Sequence, residues 1–247
     1  IVNTPSNPSG RVLTRTELEA IAALCQRHDA LAVTDEIYEH IRYTGEHIPI
    51  ATLPGMRSRT VTISGASKTF SVTGWRVGWI VAPAALTDAI RKVHDFLTVG
   101  APAPLQAGVA SALDTLGEEF YAGLARDYAR RRDLLHGALV ASGFRCIKPE
   151  GAYYILADYT GLAPLAGDPA DDTAFAVWLS REIGVTPVPG SSFFREGASG
   201  RSLVRFVFCK TEDVLAEAAG RLAALAGGPR PARGGVAEAG QRSGWQR

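Results

Sequence analysis

A segment at residues 64–79 places a lysine and an arginine directly after a short apolar run at residues 60–63. That run is typical of a buried strand. Lys68 therefore follows the carboxyl end of a strand, which is where ligands bind in open α/β sheets. The residues before Lys68, Ser64 and Ser67 among them, are all small, so backbone N–H groups and hydroxyls can approach an anion closely.

Arg76 lies on the same predicted loop, and its planar guanidinium suits a phosphate group. A lysine, hydroxyls and an arginine together suggest a phosphorylated aldehyde that is held by its phosphate and captured by an amine. The same segment is equally compatible with a polar loop whose two cations are solvated. Residues elsewhere in the chain are needed to distinguish these two interpretations.

Composition narrows the class of protein. The chain has 247 residues, a formal net charge of +1 and 46% hydrophobic residues, as expected for one or two packed cores. Neither the charge nor the hydropathy pattern indicates a nucleic-acid or membrane partner. The three widely spaced cysteines predict buried free thiols in a reducing, cytoplasmic setting and no metal site.

The start of the sequence suggests a fragment. The chain begins at Ile1, its one methionine is Met56, and residues 1–2 resemble the end of a strand. We expect a missing N-terminal portion, with proteolytic processing as the alternative explanation.

The first half of the chain follows a strand and helix alternation. Thr14 and Glu17 form a capping-box pattern ahead of a helix that ends near residues 28–29. Strands are predicted at residues 30–34, 60–63 and 77–81. The pattern is typical of an α/β fold with a mixed, mostly parallel sheet covered by helices.

Three helices are predicted next along the chain, and an arginine run inside the third of them is interpreted as a solvated face. After Gly143, strands and helices alternate in a smaller α+β unit. The predicted helices and strands are 84–97, 104–116, 118–141, 144–147, 152–157, 172–183, 186–188, 203–208 and 212–225. The implied division is a partial large domain at 1–117, an interdomain helix at 118–142, a small domain at 143–226 and a disordered tail at 227–247.

Polar residues follow several different predicted strands. Asn7, Asp35 with Tyr38, and Lys68 each come after a strand end, which in a parallel sheet brings them to one edge. Singly, each has an ordinary structural reading, such as a helix cap or an Asx turn. Together they predict a crevice that holds an amide, an acid, a phenol and an amine.

At this point the sequence resembles the class I and II aminotransferases, pyridoxal-phosphate enzymes of the aspartate aminotransferase fold. The branch it is most similar to includes kynurenine, glutamine and methionine aminotransferases and cysteine-conjugate β-lyases. The matching segments are residues 3–10, 35–38, 67–70, 73–78, 149–154 and 204–206.

The resemblance implies roles around pyridoxal 5'-phosphate. Lys68 would form the Schiff base with the cofactor aldehyde and then act as general base. Asp35 would keep the pyridine nitrogen protonated. Tyr38 and Asn7 would hydrogen-bond the ring oxygen and lower the Schiff-base pKa.

Further residues would hold the phosphate and the substrate. Arg76 and a serine would bind the phosphate, Arg205 would bind the substrate α-carboxylate, and Asn7 would also contact the substrate. Because Gly65 stands where some members carry the phosphate serine, either Ser64 or Ser67 must serve. No lysine or arginine lies between Lys92 and Arg126, which argues against the classical dicarboxylate enzymes.

The implied activity is amino-group exchange between a neutral α-amino acid and a 2-oxo acid. A cysteine-conjugate β-lyase and the effector domain of a transcription regulator are the alternatives. The resemblance also implies a homodimer. We expect the fragment alone to be inactive, because the family's phosphate-binding helix start and ring-stacking residue are not in this sequence.

Overall fold

Two four-stranded sheets organise the computed structural model, which describes residues 1–162 and 170–227. The first sheet has the order β1-β2-β3-β4 and the second β5-β6-β8-β7. In chain order the main elements are β1 (Val2–Asn3), α1 (Arg15–Arg27), β2 (Ala32–Asp35), β3 (Thr60–Gly65), α2 (Ala66–Thr69), β4 (Gly78–Val81), α3 (Ala84–Leu97), α4 (Ala103–Thr115), α5 (Glu118–Ala141), β5 (Arg145–Cys146), β6 (Tyr154–Asp158), α6 (Asp172–Trp178), β7 (Val188–Pro189), β8 (Leu203–Val207) and α7 (Glu212–Leu222).

The first sheet is mixed and mostly parallel, as predicted. β1, β2 and β3 run parallel, and β4 joins β3 antiparallel. The carboxyl ends of the three parallel strands therefore lie at one edge. β2 begins two residues later than predicted, because the N–H of Ala30 bonds the carbonyl of Cys25 and still belongs to the turn that ends α1.

Helix α1 begins with the predicted capping box. The Thr14 hydroxyl accepts from the backbone N–H of Glu17, and the Glu17 carboxylate accepts from the backbone N–H of Thr14. Leu18 and Ala22 are buried on one face. That face packs with the loop before β3 into a core over one side of the first sheet, formed by Leu18, Ala22, Ala32, Ile48, Ile50, Leu53 and Met56.

The opposite side of the first sheet is exposed around Asp35, whereas Val61 on the same face is buried. Asp35 pairs in register with Ile63, and Ile63 with Ile80, so the three side chains share one face. All three are exposed. An apolar surface therefore flanks the Asp35 carboxylate.

Helices α3 and α5 differ in how they pack. In α3 none of the residues is buried, whereas α5 packs against α7 and β5. The prediction of a solvated arginine face on α5 is wrong for Arg132. Its side chain is buried, lies over the Tyr43 ring with Cζ 4.5 Å from the centroid, and donates to the Pro149 carbonyl.

The second sheet is antiparallel, and one of its faces forms the larger core. Ile155 and Ala157 of β6 and Val204 and Phe206 of β8 are buried on that face. β6 begins at Tyr154 rather than residue 152, because the N–H of Ala152 bonds the Ile41 carbonyl outside the sheet. The opposite face carries Tyr154 and Arg205.

Two smaller differences concern the end of helix α6 and the burial of the thiols. Helix α6 is continued by a π-helical turn, Leu179–Ile183, and ends at Gly184 in the left-handed conformation. The predicted tail at 227–247 lies outside the described residues beyond Gly227. The three cysteines are free but half-buried rather than buried. Among the described helices, none has the length and apolar character to cross a membrane.

Candidate active site

The carboxyl edge of the first sheet carries the residues that the sequence singled out. Asp35 is the last residue of β2, and Asn7 lies in the turn-rich loop after β1. Lys68 is on α2, a four-residue helix directly after β3, where the sequence predicted a loop. The Asn3 side chain joins two of these segments: its Oδ1 accepts from the Asn7 N–H at 2.8 Å, and its Nδ2 donates to the Asp35 carbonyl at 3.1 Å.

Asn7 and Arg205 are in direct contact, although 198 positions separate them. Nη1 of Arg205 donates to Oδ1 of Asn7 at 2.6 Å. Arg205 lies on β8 of the second sheet, so this bond connects the two sheets at the candidate site.

Two aromatic rings enclose the Arg205 guanidinium. Its Cζ lies 4.3 Å from the Tyr154 ring centroid and 4.5 Å from that of Phe193, both within the range of cation–π contacts. Nε of Arg205 is buried and has no hydrogen-bond partner among the described residues. A half-buried guanidinium with an unused buried donor can accommodate an anion.

Lys68 lies beside a cluster of tyrosines that includes Tyr38. Nζ of Lys68 lies 5.8 Å from the ring centroid of Tyr153, and Tyr153 packs edge-on against Tyr38 at 5.2 Å. The Tyr38 hydroxyl is 2.6 Å from that of Tyr154. Burial and this hydrogen bond raise the pKa of Tyr38 far above its usual range, and burial raises the pKa of Tyr154 to about 12. Both hydroxyls therefore keep their protons at neutral pH.

Arg76 is an exposed residue in the left-handed conformation, with φ 56° and ψ 39°. Its Nη1 donates to the Thr73 carbonyl at 3.2 Å, and the Thr73 hydroxyl donates to the Ser67 carbonyl at 3.1 Å. A non-glycine residue with this backbone is uncommon and costs free energy unless its surroundings hold it. These bonds connect the loop of Arg76 to the helix of Lys68.

The two serine candidates have different surroundings. Ser64 is buried and donates to Oε1 of Glu39 at 2.6 Å. It also lies one position after Ile63, so its side chain points to the opposite face of the sheet from Asp35. Ser67 is half-buried on the same helix as Lys68.

Gly65 occupies a position with little room for a side chain. A Cβ there would lie 3.0 Å from both the Gly78 Cα and the Val77 carbonyl oxygen. The close pairing of β3 with β4 therefore explains the glycine at the position three residues before Lys68.

Sequence reasoning did not assign a role to Tyr153, Tyr154 or Phe193. Residues 153 and 154 belonged to a matched segment, but the antiparallel register shows their relevance: Tyr154 opposes Val207 and thus lies diagonal to Arg205 on one face. The alternation of β6 and β8 could have indicated that neighbour.

The sequence also did not indicate a buried pair, Glu36 and His47, next to Asp35. Nε2 of His47 is 2.7 Å from Oε2 of Glu36, and the Thr34 hydroxyl donates to Oε1 of Glu36 at 2.8 Å. The N–H of Glu36 donates to the Ile63 carbonyl. This pair fixes the end of β2 next to β3.

Similarity to known proteins agrees with this geometry. The family model for aminotransferase class I and II matches residues 1–222. Over 238 residues, 93% of the chain, it is 40% identical to a probable N-succinyldiaminopimelate aminotransferase of Mycobacterium tuberculosis. It is 39% identical over 228 residues, 87% of the chain, to kynurenine–oxoglutarate transaminase 3 of Mus musculus.

A solved structure shows the same fold. The N-succinyldiaminopimelate aminotransferase from Mycobacterium tuberculosis superposes with a TM-score of 0.84 at 40% identity, and the match covers 91% of this chain and 57% of that one. The chain spans 58% and 50% of the lengths of the two curated relatives. By the match to the family model over 222 residues, the chain belongs to the class I and II aminotransferases.

Proposed function

We propose that the protein exchanges the amino group of an α-amino acid with a 2-oxo acid, using pyridoxal 5'-phosphate. The observation that carries the proposal is the bond between Arg205 and Asn7. It sets the proposed carboxylate-binding guanidinium of one sheet beside the proposed cofactor residues of the other.

Pyridoxal phosphate is the cofactor of this family. Two features of the structure fit this cofactor and an amino acid substrate: the exposed Asp35 carboxylate at the end of β2, and the buried Nε of Arg205, which has no hydrogen-bond partner within residues 1–162 and 170–227. When bound, the cofactor accepts the electron pair of the substrate Cα–H bond as the α-proton is removed.

Lys68 is the proposed residue that binds the cofactor aldehyde and then moves the α-proton. Nζ of a lysine has one lone pair when unprotonated, which can serve first as nucleophile and later as base. The short helix α2 and the Thr73–Ser67 bond hold its backbone.

Asp35, Tyr38 and Asn7 are proposed to orient the cofactor ring. The Asp35 carboxylate would keep a ring nitrogen protonated by its negative charge. Tyr38 keeps its proton and can donate it in a hydrogen bond to an oxyanion. The Nδ2 group of Asn7 is a second donor, since its Oδ1 is already used by Arg205.

Arg76 is proposed to bind the phosphate together with Ser67. Ser67 is favoured over Ser64 because the Ser64 hydroxyl is buried and bonded to Glu39 on the other face of the sheet. A planar guanidinium and a hydroxyl beside Lys68 give directed donors for phosphate oxygens.

Arg205 is proposed to bind the substrate α-carboxylate through Nε and a terminal nitrogen. The rings of Tyr154 and Phe193 fix the guanidinium plane, so little conformational freedom is lost on binding. The substrate side chain is proposed to be neutral, because the sequence from 93 to 125 has no lysine or arginine. A homodimer, a cytoplasmic location and the division at residues 117, 142 and 226 stay proposals.

The test uses the protein from its complete reading frame. Loaded with pyridoxal phosphate, it should convert amino acids to 2-oxo acids and pass the amino group to a second 2-oxo acid, and Lys68→Ala should abolish both steps. A wild-type protein that binds the cofactor but transfers no amino group from any primary α-amino acid to any 2-oxo acid would contradict the proposal.

The same preparation distinguishes a β-lyase. Incubation with a cysteine conjugate in the absence of any oxo acid would release pyruvate and ammonia if elimination is the main reaction. Amino-group transfer without pyruvate release would favour the aminotransferase.

A further inference from the structure

Tyr154 contacts both halves of the candidate site. Its hydroxyl lies 2.6 Å from that of Tyr38, on the proposed cofactor side. Its ring lies under the guanidinium of Arg205, 4.3 Å from Cζ, on the proposed carboxylate side. No role for Tyr154 follows from the proposed function itself.

We infer that Tyr154 is a positioning residue that tunes the Tyr38 hydroxyl through a hydrogen bond and holds Arg205 through its ring face. The inference rests on the proposed function, since it deepens the roles of Tyr38 and Arg205. It separates into two effects that belong to different atoms of one side chain, the hydroxyl and the ring.

The hydroxyl effect follows from counting protons. In this structure the bond with Tyr154 raises the pKa of Tyr38, as expected when Tyr38 is the donor. Each phenol has one proton, so once Tyr38 donates to the cofactor ring oxygen, the same bond requires Tyr154 to be the donor. Accepting that bond polarises the Tyr38 O–H group and makes it a stronger donor. A stronger donor favours the anionic ring oxygen and thus lowers the pH at which the bound cofactor changes its protonation state.

The ring effect follows from the register of β6 and β8. Tyr154 lies diagonal to Arg205 on the face opposite Ile155 and Phe206, and the Phe193 ring centroid also lies near the guanidinium, 4.5 Å from Cζ. The ring fixes the guanidinium by stacking and needs no hydroxyl for that.

Few titratable or charged groups surround Tyr154 within the described residues. Among the described residues, the titratable and charged groups that interact with it are Tyr38, Tyr128, Tyr153 and Arg205. The ring centroid of Tyr153, the preceding residue in the chain, lies 4.7 Å from that of Tyr154. A variant of Tyr154 therefore changes the environment of a small set of groups.

Two variants separate the effects. In the complete protein with bound pyridoxal phosphate, Tyr154→Phe removes the hydroxyl and keeps the ring. We expect the pH midpoint of the cofactor absorbance band to rise by roughly 0.2–1 unit, with the KM for the amino acid within about twofold of wild type. Tyr154→Leu should give the same midpoint rise and increase the KM roughly 3- to 30-fold as the ring contact is lost.

Tyr43→Phe is the matched control. Tyr43 lies in the same aromatic core, and its buried hydroxyl bonds the Ala152 carbonyl instead of Tyr38. The control should leave both the midpoint and the KM unchanged, while melting curves verify that all three variants fold.

The outcomes distinguish the inference from the proposed function. A wild-type midpoint in Tyr154→Phe, or equal KM values in the two Tyr154 variants, would overturn the inference alone. If the wild-type protein neither bound pyridoxal phosphate nor transferred an amino group, the proposed function would fail and the inference with it. The expected pattern is a midpoint shift in both variants and a KM change in Tyr154→Leu only.

Discussion

Arg205 shows how single residues in this protein serve both fold and site. It lies on a strand of the second sheet, yet its polar contact is with Asn7 in the loop after β1. The rings of Tyr154 and Phe193 both contact its guanidinium, and its Nε remains unpaired within the described chain. These contacts support the proposal that Arg205 binds a carboxylate.

At the same scale, Arg205→Lys should weaken amino-acid binding without unfolding the protein. A lysine keeps the charge but loses the planar fork and the stacking between Tyr154 and Phe193. We expect the KM for the amino acid to rise by roughly tenfold or more, with the Kd for pyridoxal phosphate nearly unchanged. Steady-state kinetics and cofactor titration of the complete protein measure both values. Equal losses of cofactor and substrate affinity would argue against a substrate-carboxylate role.

Gly65 carries a prediction about packing. In Gly65→Ser the new Cβ would lie 3.0 Å from backbone atoms of β4, so β3 and β4 would have to separate. Strain of this kind costs about 1–3 kcal/mol of the free energy of unfolding. Gly117→Ser is the control: nothing lies within 4 Å of its Cβ position, and it is the N-cap of α5, where serine is favoured. Urea unfolding should show a loss for the first variant and none for the second.

At the scale of elements, α1 and α7 differ in how their first residues are capped. The Thr14 hydroxyl accepts from the Glu17 N–H, whereas Thr211 at the start of α7 makes no side-chain capping bond. Thr14→Ala should therefore lower the free energy of unfolding by about 1 kcal/mol, and Thr211→Ala by much less. Thermal melts of both variants compare the two helix starts, and equal losses would contradict the assignment of the capping bond.

Helix α5 supports a second comparison. Arg132→Met would leave the Pro149 carbonyl without its donor and remove the contact with Tyr43, while Asp133 keeps its ion pair with Lys148. The expected cost is about 1–3 kcal/mol. Arg126→Met, on the exposed part of the same helix, should change the free energy of unfolding by less than about 0.5 kcal/mol. Equal effects would restore the reading of a solvated arginine face.

The elements also show what the sequence could predict. The capping box placed α1, and the strand-end pattern placed Asn7, Asp35 and Lys68 at one edge, because both are local signals. The burial of Arg132 and the start of β6 at Tyr154 depend on contacts with Pro149 and Ile41, which are distant in sequence. Local patterns carry no information on such partners.

At the scale of the whole molecule, the described chain has a buried core around the second sheet and an open face on the first. Ile63 and Ile80 are exposed beside Asp35, and Phe96 and Leu97 are exposed on α3. Parallel sheets are normally covered on both faces, so these exposed apolar side chains are unusual for such a sheet.

This surface predicts dye binding by the 247-residue chain. A hydrophobic fluorescent dye should bind the chain, and the double variant Phe96→Ser with Leu97→Ser should reduce the signal with little change in the melting temperature, since neither side chain is buried. Leu139→Ser, at a fully buried position of α5, is the contrasting variant and should lower the melting temperature strongly. Unchanged dye binding in the double variant would show that α3 does not contribute the apolar surface.

The assignment of Lys68 as the residue that binds the cofactor aldehyde has one direct test. Within this chain the candidates are four lysines, Lys68, Lys92, Lys148 and Lys210, and peptide mapping distinguishes them from one another and from any lysine outside these 247 residues. The complete protein is loaded with pyridoxal phosphate, reduced with sodium borohydride, digested and analysed by mass spectrometry. The account predicts a stoichiometric pyridoxyl adduct on Lys68. An adduct on another lysine, with Lys68 unmodified, would contradict it.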